Sequence, residues 1–205
     1  MQYQGGKSRI AKPIYGVGYI GEGEYTSKED GKRSKIYDIW HSILDRCYDE
    51  KTINKFPTYS NCIVCDEWLN YQNFAKWYDD NYYQIDNEKM CVDKDILIKG
   101  NKVYSPKTCC IVPNSINILL TKVDKSRGEY PVGVSFHKAT NKFIAKYKTE
   151  GKSKYIGLFS TPEDAFIAYK KAKESEIKRL ANKYRDYIRP DVYNALINYE
   201  VEITD

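Results

Sequence analysis

The sequence feature that most constrains the fold is a change of hydrophobic period in the last third of the chain. In residues 134–137 and 143–148 apolar and polar side chains alternate, as they do in strands that bury one face. Residues 155–159 supply a third strand, and Thr161-Pro162-Glu163-Asp164 then combines a capping box with a proline at the first helical position. We therefore predict a three-stranded antiparallel sheet packed on a long helix that extends to about Tyr187.

A helical period dominates the region before this sheet. Ile36, Trp40, Leu44 and Cys47 recur at spacings of three and four, which predicts an amphipathic helix from Lys35 onward. The other elements expected here are a turn at 56–61, a short strand within 62–68, a helix over 71–78, strands at 91–96 and 102–104 around a Gly100-Asn101 turn, and a helix over 111–120 with Pro113 in its first turn. The predicted fold class is α+β.

The same patterns divide the chain into parts. Residues 1–34 are rich in glycine and charge and predict irregular structure, and residues 35–121 form a helix-rich N-terminal domain. Residues 122–129 are polar almost throughout and are typical of a linker. The C-terminal domain covers residues 130–205, with Pro190 ending the long helix and a short helix expected over 192–199.

Positive charge is concentrated on the predicted sheet. Between Lys122 and Tyr155 nine Lys and Arg stand against three acids, whereas the whole chain has a net charge of only +5. Alternation puts Lys142, Lys146 and Lys148 on the strand face opposite the apolar one. Such a face can enter a DNA groove and displace counterions from phosphates, although a merely solvated sheet face fits the same pattern.

The C-terminal motifs resemble the ethylene-response-factor (APETALA-like) DNA-binding domain of plants and its relatives in phages and mobile elements. The motifs that carry the resemblance are Gly133-Val134-Ser135-Phe136-His137, Lys142-Phe143-Ile144-Ala145, Tyr155-Ile156-Gly157-Leu158-Phe159-Ser160-Thr161 and Glu163-Asp164-Ala165-Phe166. The resemblance implies a sheet that lies in the major groove of double-stranded DNA. The implied contact positions are Ser135, His137, Lys146, Lys148, Ser153 and Tyr155, with Lys138 beside them. Because serine cannot form the bidentate guanine contact of arginine, a plant-like sequence preference is not expected.

The N-terminal region resembles the HNH-type nucleases of phages. The resemblance depends on these motifs and residues: Tyr37-x-x-Trp40, Arg46-Cys47-Tyr48, Val64-Cys65-Asp66-Glu67-Trp68-Leu69, Phe74, Val92-Asp93-Lys94, Asn101, Tyr104-Ser105-Pro106 and Cys109. The resemblance implies a ββα-metal site that holds one Mg or Mn ion. If the site residues of the family are transferred to this chain, Asp93 and Asn117 bind the metal, with Asn114 as the alternative to Asn117. Lys94 then occupies the position of the histidine that acts as general base.

Because Lys94 replaces the histidine, the sequence does not decide whether the site is catalytic. The pKa of a histidine side chain, about 6.5, suits a base near neutral pH, whereas the pKa of a lysine side chain is about 10.4. Lys94 can act as a base only if burial or a nearby cation depresses its pKa strongly. Three interpretations remain: an active endonuclease that uses Lys94 or Asp95 differently, a nickase of low activity, or a fold retained for DNA binding. Lys94 could also contact a phosphate directly.

The six cysteines suggest a structural zinc site. No stretch approaches the ~18 apolar residues of a membrane span, and no secretory signal is evident, so we expect a cytoplasmic protein without membrane partners. In a reducing compartment disulfides are disfavoured, and Cys62-x-x-Cys65 is half of a zinc motif. The predicted ligand set is Cys47, Cys62, Cys65 and Cys109, while burial as free thiols is the alternative.

The sequence hypothesis is a DNA-binding protein of phage or mobile-element type, with an HNH-like endonuclease or nickase as its leading form. A catalytically inactive DNA-binding or regulatory protein is the second hypothesis, and a protein-interaction module is the third.

Overall fold

The computed structural model describes residues 12–121, 129–203 and 205. They fall into two compact units, the first with residues 12–80 and 102–107, the second with residues 81–101 and those from 108 onward. Helices and strands are both present, and a three-stranded antiparallel sheet lies near the C-terminus, so the predicted α+β class is confirmed. Within the described ranges no helix combines the length and apolar character that crossing a membrane requires.

The elements follow one another in this order: β1 Lys28–Glu29, β2 Lys32–Arg33, α1 Lys35–Tyr48, α2 Glu50–Lys55, a 3₁₀ turn Pro57–Tyr59, β3 Ile63–Val64, α3 Asp66–Leu69, α4 Tyr71–Asn81, β4 Met90–Asp93, β5 Val103–Tyr104, β6 Cys110–Pro113, α5 Asn114–Leu120, β7 Val134–His137, β8 Lys142–Thr149, β9 Lys152–Phe159, α6 Pro162–Lys183 and α7 Pro190–Ile197. The predicted helices at 35 and 71, the three C-terminal strands and the helix at Pro162 are all confirmed.

Aromatic packing builds the core of the first unit. The Ser34 hydroxyl caps α1 by accepting from the Tyr37 amide, and the buried face of α1 then carries Trp40 inward. The Trp40 indole donates to the Trp68 carbonyl over 2.7 Å, and the Trp68 ring packs edge-on against Phe74. The helical period found in the sequence therefore marks the faces that meet in this core.

Several predicted boundaries are wrong in the middle of the chain. Residues 103–104 do not form a hairpin with residues 91–96, because β5 pairs in parallel with β3, and β4 pairs antiparallel with β6. The helix expected over 111–120 begins only at Asn114, since the fully buried run Cys110–Pro113 is a strand. A short apolar run between two turns fits a buried strand as well as a helix, and pattern alone does not separate them.

Smaller corrections concern the ends of elements. Within residues 62–68 only β3 is extended, and α3 follows it at Asp66. Helix α6 ends at Lys183 instead of near Tyr187. Pro190 begins α7 instead of merely ending the preceding helix, because proline is well suited to the first helical turn.

One hydrophobic core holds the second unit together. It combines residues of the β4–β6–α5 segment, such as Val112 and Ile116, with Ala145 of β8 and with Ile177 and Leu180 of α6. The predicted linker at 122–129 lies outside the described residues except for Glu129. Residues on both sides of that linker thus belong to the same core.

Candidate nucleic-acid interface and candidate metal centre

The strand register decides which side chains share the face of the C-terminal sheet that is turned away from α6, here called the open face. Residues directly opposite one another in a sheet lie on the same face. Across β7 and β8 the open-face pairs are Ser135–Ile144 and His137–Lys142; across β8 and β9 they are Ile144–Leu158, Lys146–Tyr155 and Lys148–Ser153. The structure thus brings six of the seven predicted contact residues onto one face, and Lys138 is exposed in the turn that follows β7.

A β-bulge produces this arrangement. Ala145 pairs with Gly157, but the next residue, Lys146, pairs with Tyr155, so Ile156 is the extra residue of β9. Simple alternation would turn Leu158 and Tyr155 to opposite faces, because they are separated by an odd number of positions. The bulge instead puts both on the open face, and a glycine inside a strand, here Gly157, is the one sequence signal typical of it.

Charges are segregated across the sheet. Strands β7, β8 and β9 contain five lysines and neither Asp nor Glu. Lys142, Lys146 and Lys148 lie exposed on the open face, whereas the register puts Lys152 and Lys154 on the other face. The open face is therefore positive, with no carboxylate in its strands to neutralise it.

The nearby acids pair on the helix side of the sheet. Glu150, in the turn between β8 and β9, contacts Arg179 at 3.3 Å and Lys183 at 3.7 Å. Buried Glu176 accepts from the Thr149 hydroxyl at 2.6 Å and from Arg179, whose hydrogen bonds hold the pKa of the Glu176 carboxyl below its usual value. These carboxylates are thus engaged by α6 and do not offset the open-face lysines.

The open face also carries apolar and aromatic groups that the sequence analysis did not identify as a set. Tyr155 is 64% exposed and Leu158 is 38% exposed, and half-buried Ile144 lies directly opposite Leu158. The His137 ring is oriented by a contact of 2.8 Å between its Nδ1 and the Thr140 hydroxyl. The alternating pattern did not identify Ile144 as an open-face residue, because apolar residues occupy both faces of β8.

The candidate metal centre lies where β4 ends, in a β4–β6–α5 arrangement. Asp93 is the last residue of β4, and its Oδ1 accepts from the amides of Asp95 at 2.7 Å and Ile96 at 2.9 Å. Burial raises the pKa of the Asp93 carboxyl, and these two hydrogen bonds oppose that effect. One of the two carboxylate oxygens is therefore committed to shaping the turn after β4.

Lys94 closes the loop that follows Asp93. It is 7% exposed, and its ammonium donates to Asp95 Oδ2 and to the Asn101 carbonyl, each over 2.7 Å. In return the Asn101 side-chain amide donates to the Lys94 carbonyl at 2.8 Å. In this reciprocal pair, here called the Lys94–Asn101 clamp, the Lys94 side chain donates two hydrogen bonds, whereas a general base must accept a proton.

The donors around Asp93 fit a divalent metal poorly. The Asn114 side chain accepts from the Cys91 thiol at 3.2 Å, and Asn117 is half-buried one turn further along α5. In the part of the chain that the structure describes, no three His, Cys, Asp or Glu side chains are grouped so that they could hold a metal ion. The Lys94 cation beside Asp93 would also repel a divalent ion.

The four predicted zinc ligands are distributed between the units. Cys47, Cys62 and Cys65 belong to the first unit, and Cys109 belongs to the second. Cys47, Cys62 and Cys109 are buried and Cys65 is half-buried, and burial raises the pKa of the Cys65 thiol. A raised pKa favours the thiol over the thiolate that zinc binds, and structural zinc stays a prediction.

Comparison with known proteins returns no relative for the chain. No protein-family model, curated protein or solved structure matches it.

Proposed function

We propose that this protein binds double-stranded DNA through the open face of the β7–β8–β9 sheet. The observation that carries the proposal is the segregation of charge: three exposed lysines lie on this face, and its strands contain no acid. A surface of this kind is complementary to a polyanion, and neutralisation of phosphates by lysine releases counterions.

The dimensions of the sheet suit a groove of the duplex. Three strands spaced about 4.8 Å apart span about 10 Å, which is close to the major-groove width of about 12 Å. In this arrangement the lysines contact phosphates and set the register, while Tyr155, His137 and Ser135 face the base edges. Binding is then dominated by phosphate contacts, because these strands contain no arginine.

The salt dependence of binding tests the proposal. The Lys146→Gln/Lys148→Gln variant removes two open-face charges, and Lys152→Gln/Lys154→Gln removes two from the other face of the same hairpin. If each open-face lysine neutralises one phosphate, the slope of log K against log salt becomes shallower by about 1.8 in the first variant only. Fluorescence anisotropy with a mixed-sequence duplex between 50 and 200 mM salt measures it.

Two outcomes would contradict this proposal. One is absence of duplex binding at low salt. The other is an equal change of slope in both variants, because only their position relative to the open face distinguishes them. Thermal unfolding followed by circular dichroism verifies that each variant is folded.

A second candidate function is metal-dependent cleavage of DNA at the β4–β6–α5 segment. Its support is the strand–strand–helix arrangement itself, with Asp93 at the end of the first strand. Mg or Mn would have to be held by the remaining oxygen of Asp93 together with Asn117, and Lys94, which already donates to Asp95 and to the Asn101 carbonyl, would leave the clamp if it contacted the scissile phosphate. A DNA-binding protein without nuclease activity is the alternative that the Lys94–Asn101 clamp favours.

Incubation with supercoiled plasmid and Mg or Mn separates these possibilities. Nicking by the unmodified protein that is lost in Asp93→Ala supports cleavage at this segment. Nicking that persists in the variant indicates a contaminant and contradicts it. Binding without nicking supports the non-catalytic alternative.

The proposal extends to the biological setting and to the cysteines. A cytoplasmic protein of phage or mobile-element type would have direct access to DNA. Metal analysis of the untreated protein tests the zinc prediction: about one equivalent of zinc supports it, and less than a tenth contradicts it.

A further inference from the structure

We propose that Ile144 and Leu158 of the open face contact thymine methyl groups in the major groove and so give the protein a preference for A·T base pairs. This inference rests on the proposed DNA binding and specifies the kind of duplex that the sheet favours.

The two side chains form an apolar row across an otherwise polar surface. Ile144 lies opposite Leu158 in the β8–β9 ladder, with Ser135 opposite Ile144 on the β7 side. Ile144 is half-buried and Leu158 is 38% exposed, so both retain surface that no other described part of the chain covers. The exposed lysines Lys142 and Lys146 flank this row along β8.

Phosphate-binding lysines on both sides would hold the row against base edges. A lysine that neutralises a phosphate fixes the position of the strand between the two backbones of the groove. Ile144 lies between two such lysines along β8, and Leu158 lies beside it on β9, so both side chains would face the floor of the groove, where the bases are exposed. An apolar pair at that position must contact whichever base groups lie beneath it.

Among the base edges of the major groove, only thymine presents a methyl group. Guanine, cytosine and adenine present hydrogen-bonding atoms there, and an apolar side chain that covers such atoms removes their water without replacing it. Ser135 is short and tolerates several bases, so it does not oppose this preference. The row of Ile144 and Leu158 therefore favours base pairs that place a thymine methyl group beneath it.

A pair of random-sequence duplex pools tests the inference without knowledge of a target site. One pool contains thymine and the other contains uracil, which pairs identically but lacks the methyl group. The unmodified protein should bind the thymine pool more tightly, by about two- to fourfold for each methyl buried. Ile144→Ser/Leu158→Ser should abolish this ratio, and Ile167→Ser, which alters a 64% exposed isoleucine of α6, should leave it unchanged.

A third pool tests the methyl contact with the unmodified protein alone, so the inference stays testable if the double variant is unfolded. Replacing cytosine by 5-methylcytosine in the uracil pool restores a methyl at the same groove depth, and the unmodified protein should then regain affinity. Equal binding to the thymine and uracil pools overturns the inference and leaves DNA binding intact. Failure to bind any pool at low salt overturns the proposed function as well.

Discussion

Replacing Gly133 by alanine provides a strong test of how the sheet is attached to α6. Gly133 precedes β7 with a φ of +74°, and an added Cβ would lie 2.1 Å from two atoms of the Tyr169 ring. Its carbonyl also accepts from the Lys146 amide at 3.0 Å, beside one of the proposed DNA contacts. The contact between Gly133 and Tyr169 therefore positions β7 against both the helix and the strand that carries the open-face lysines.

Gly151 is a matched control for the size of this effect. It has nearly the same φ, +75°, but an added Cβ would meet nothing within 4 Å. Gly151→Ala should therefore cost only the left-handed backbone penalty, about 1–2 kcal/mol. Gly133→Ala adds overpacking against a ring that is 6% exposed, typically about 1–3 kcal/mol. The expected total at Gly133 is about 2–5 kcal/mol.

Urea unfolding followed by far-ultraviolet circular dichroism measures both variants. If the free energies of unfolding of the two variants differ by less than about 0.5 kcal/mol, the usual error of additivity, the added Cβ at Gly133 does not clash with Tyr169. Combining each glycine variant with Tyr169→Ala gives a second criterion. The Gly133 and Tyr169 effects should be non-additive, because the double variant removes the clash, whereas Gly151 and Tyr169 should behave independently.

Three further predictions concern buried polar contacts. Lys94→Met should destabilise the protein by about 2–4 kcal/mol, because two charge-assisted hydrogen bonds are lost, and urea unfolding measures this; no loss would contradict the clamp. Glu176→Gln should weaken the contact with Arg179. Because the folded pKa of Glu176 is lowered, its stabilising effect is present above the unfolded pKa of about 4.3 and lost as pH falls. The difference in free energy of unfolding between Glu176→Gln and the unmodified protein, measured by thermal unfolding, should therefore become smaller from pH 5 to below pH 4. A difference that stays constant over this range would contradict the prediction. Trp40→Phe removes the donor to the Trp68 carbonyl and should cost about 1–3 kcal/mol, while a neutral effect would contradict the burial argument.

Patterns confined to neighbouring residues made much of the fold predictable from sequence. The helical period from Lys35, the alternation in β7 and β8 and the capping box at Thr161 each depend on one short segment. Alternation alone also predicted that the lysines of β8 share one face, without knowledge of how the strands pair. The open-face positions Ser153 and Tyr155 came from family resemblance, since strand alternation does not anticipate the bulge at Ile156.

Contacts between distant segments were decided only by the tertiary structure. Residues 103–104 pair with β3 instead of their neighbours, and the buried run Cys110–Pro113 becomes a strand because β4 is there to pair with it. The HNH resemblance places Lys94 at the position of the general base, and only the tertiary structure shows that its side chain donates to the Asn101 carbonyl. The sequence by itself determined the strongly periodic elements, such as α1, α4, β7, β8 and the start of α6, and the region where positive charge accumulates. Strand pairing, the β-bulge and burial depend on partners far along the chain, and these decided which side chains share the open face.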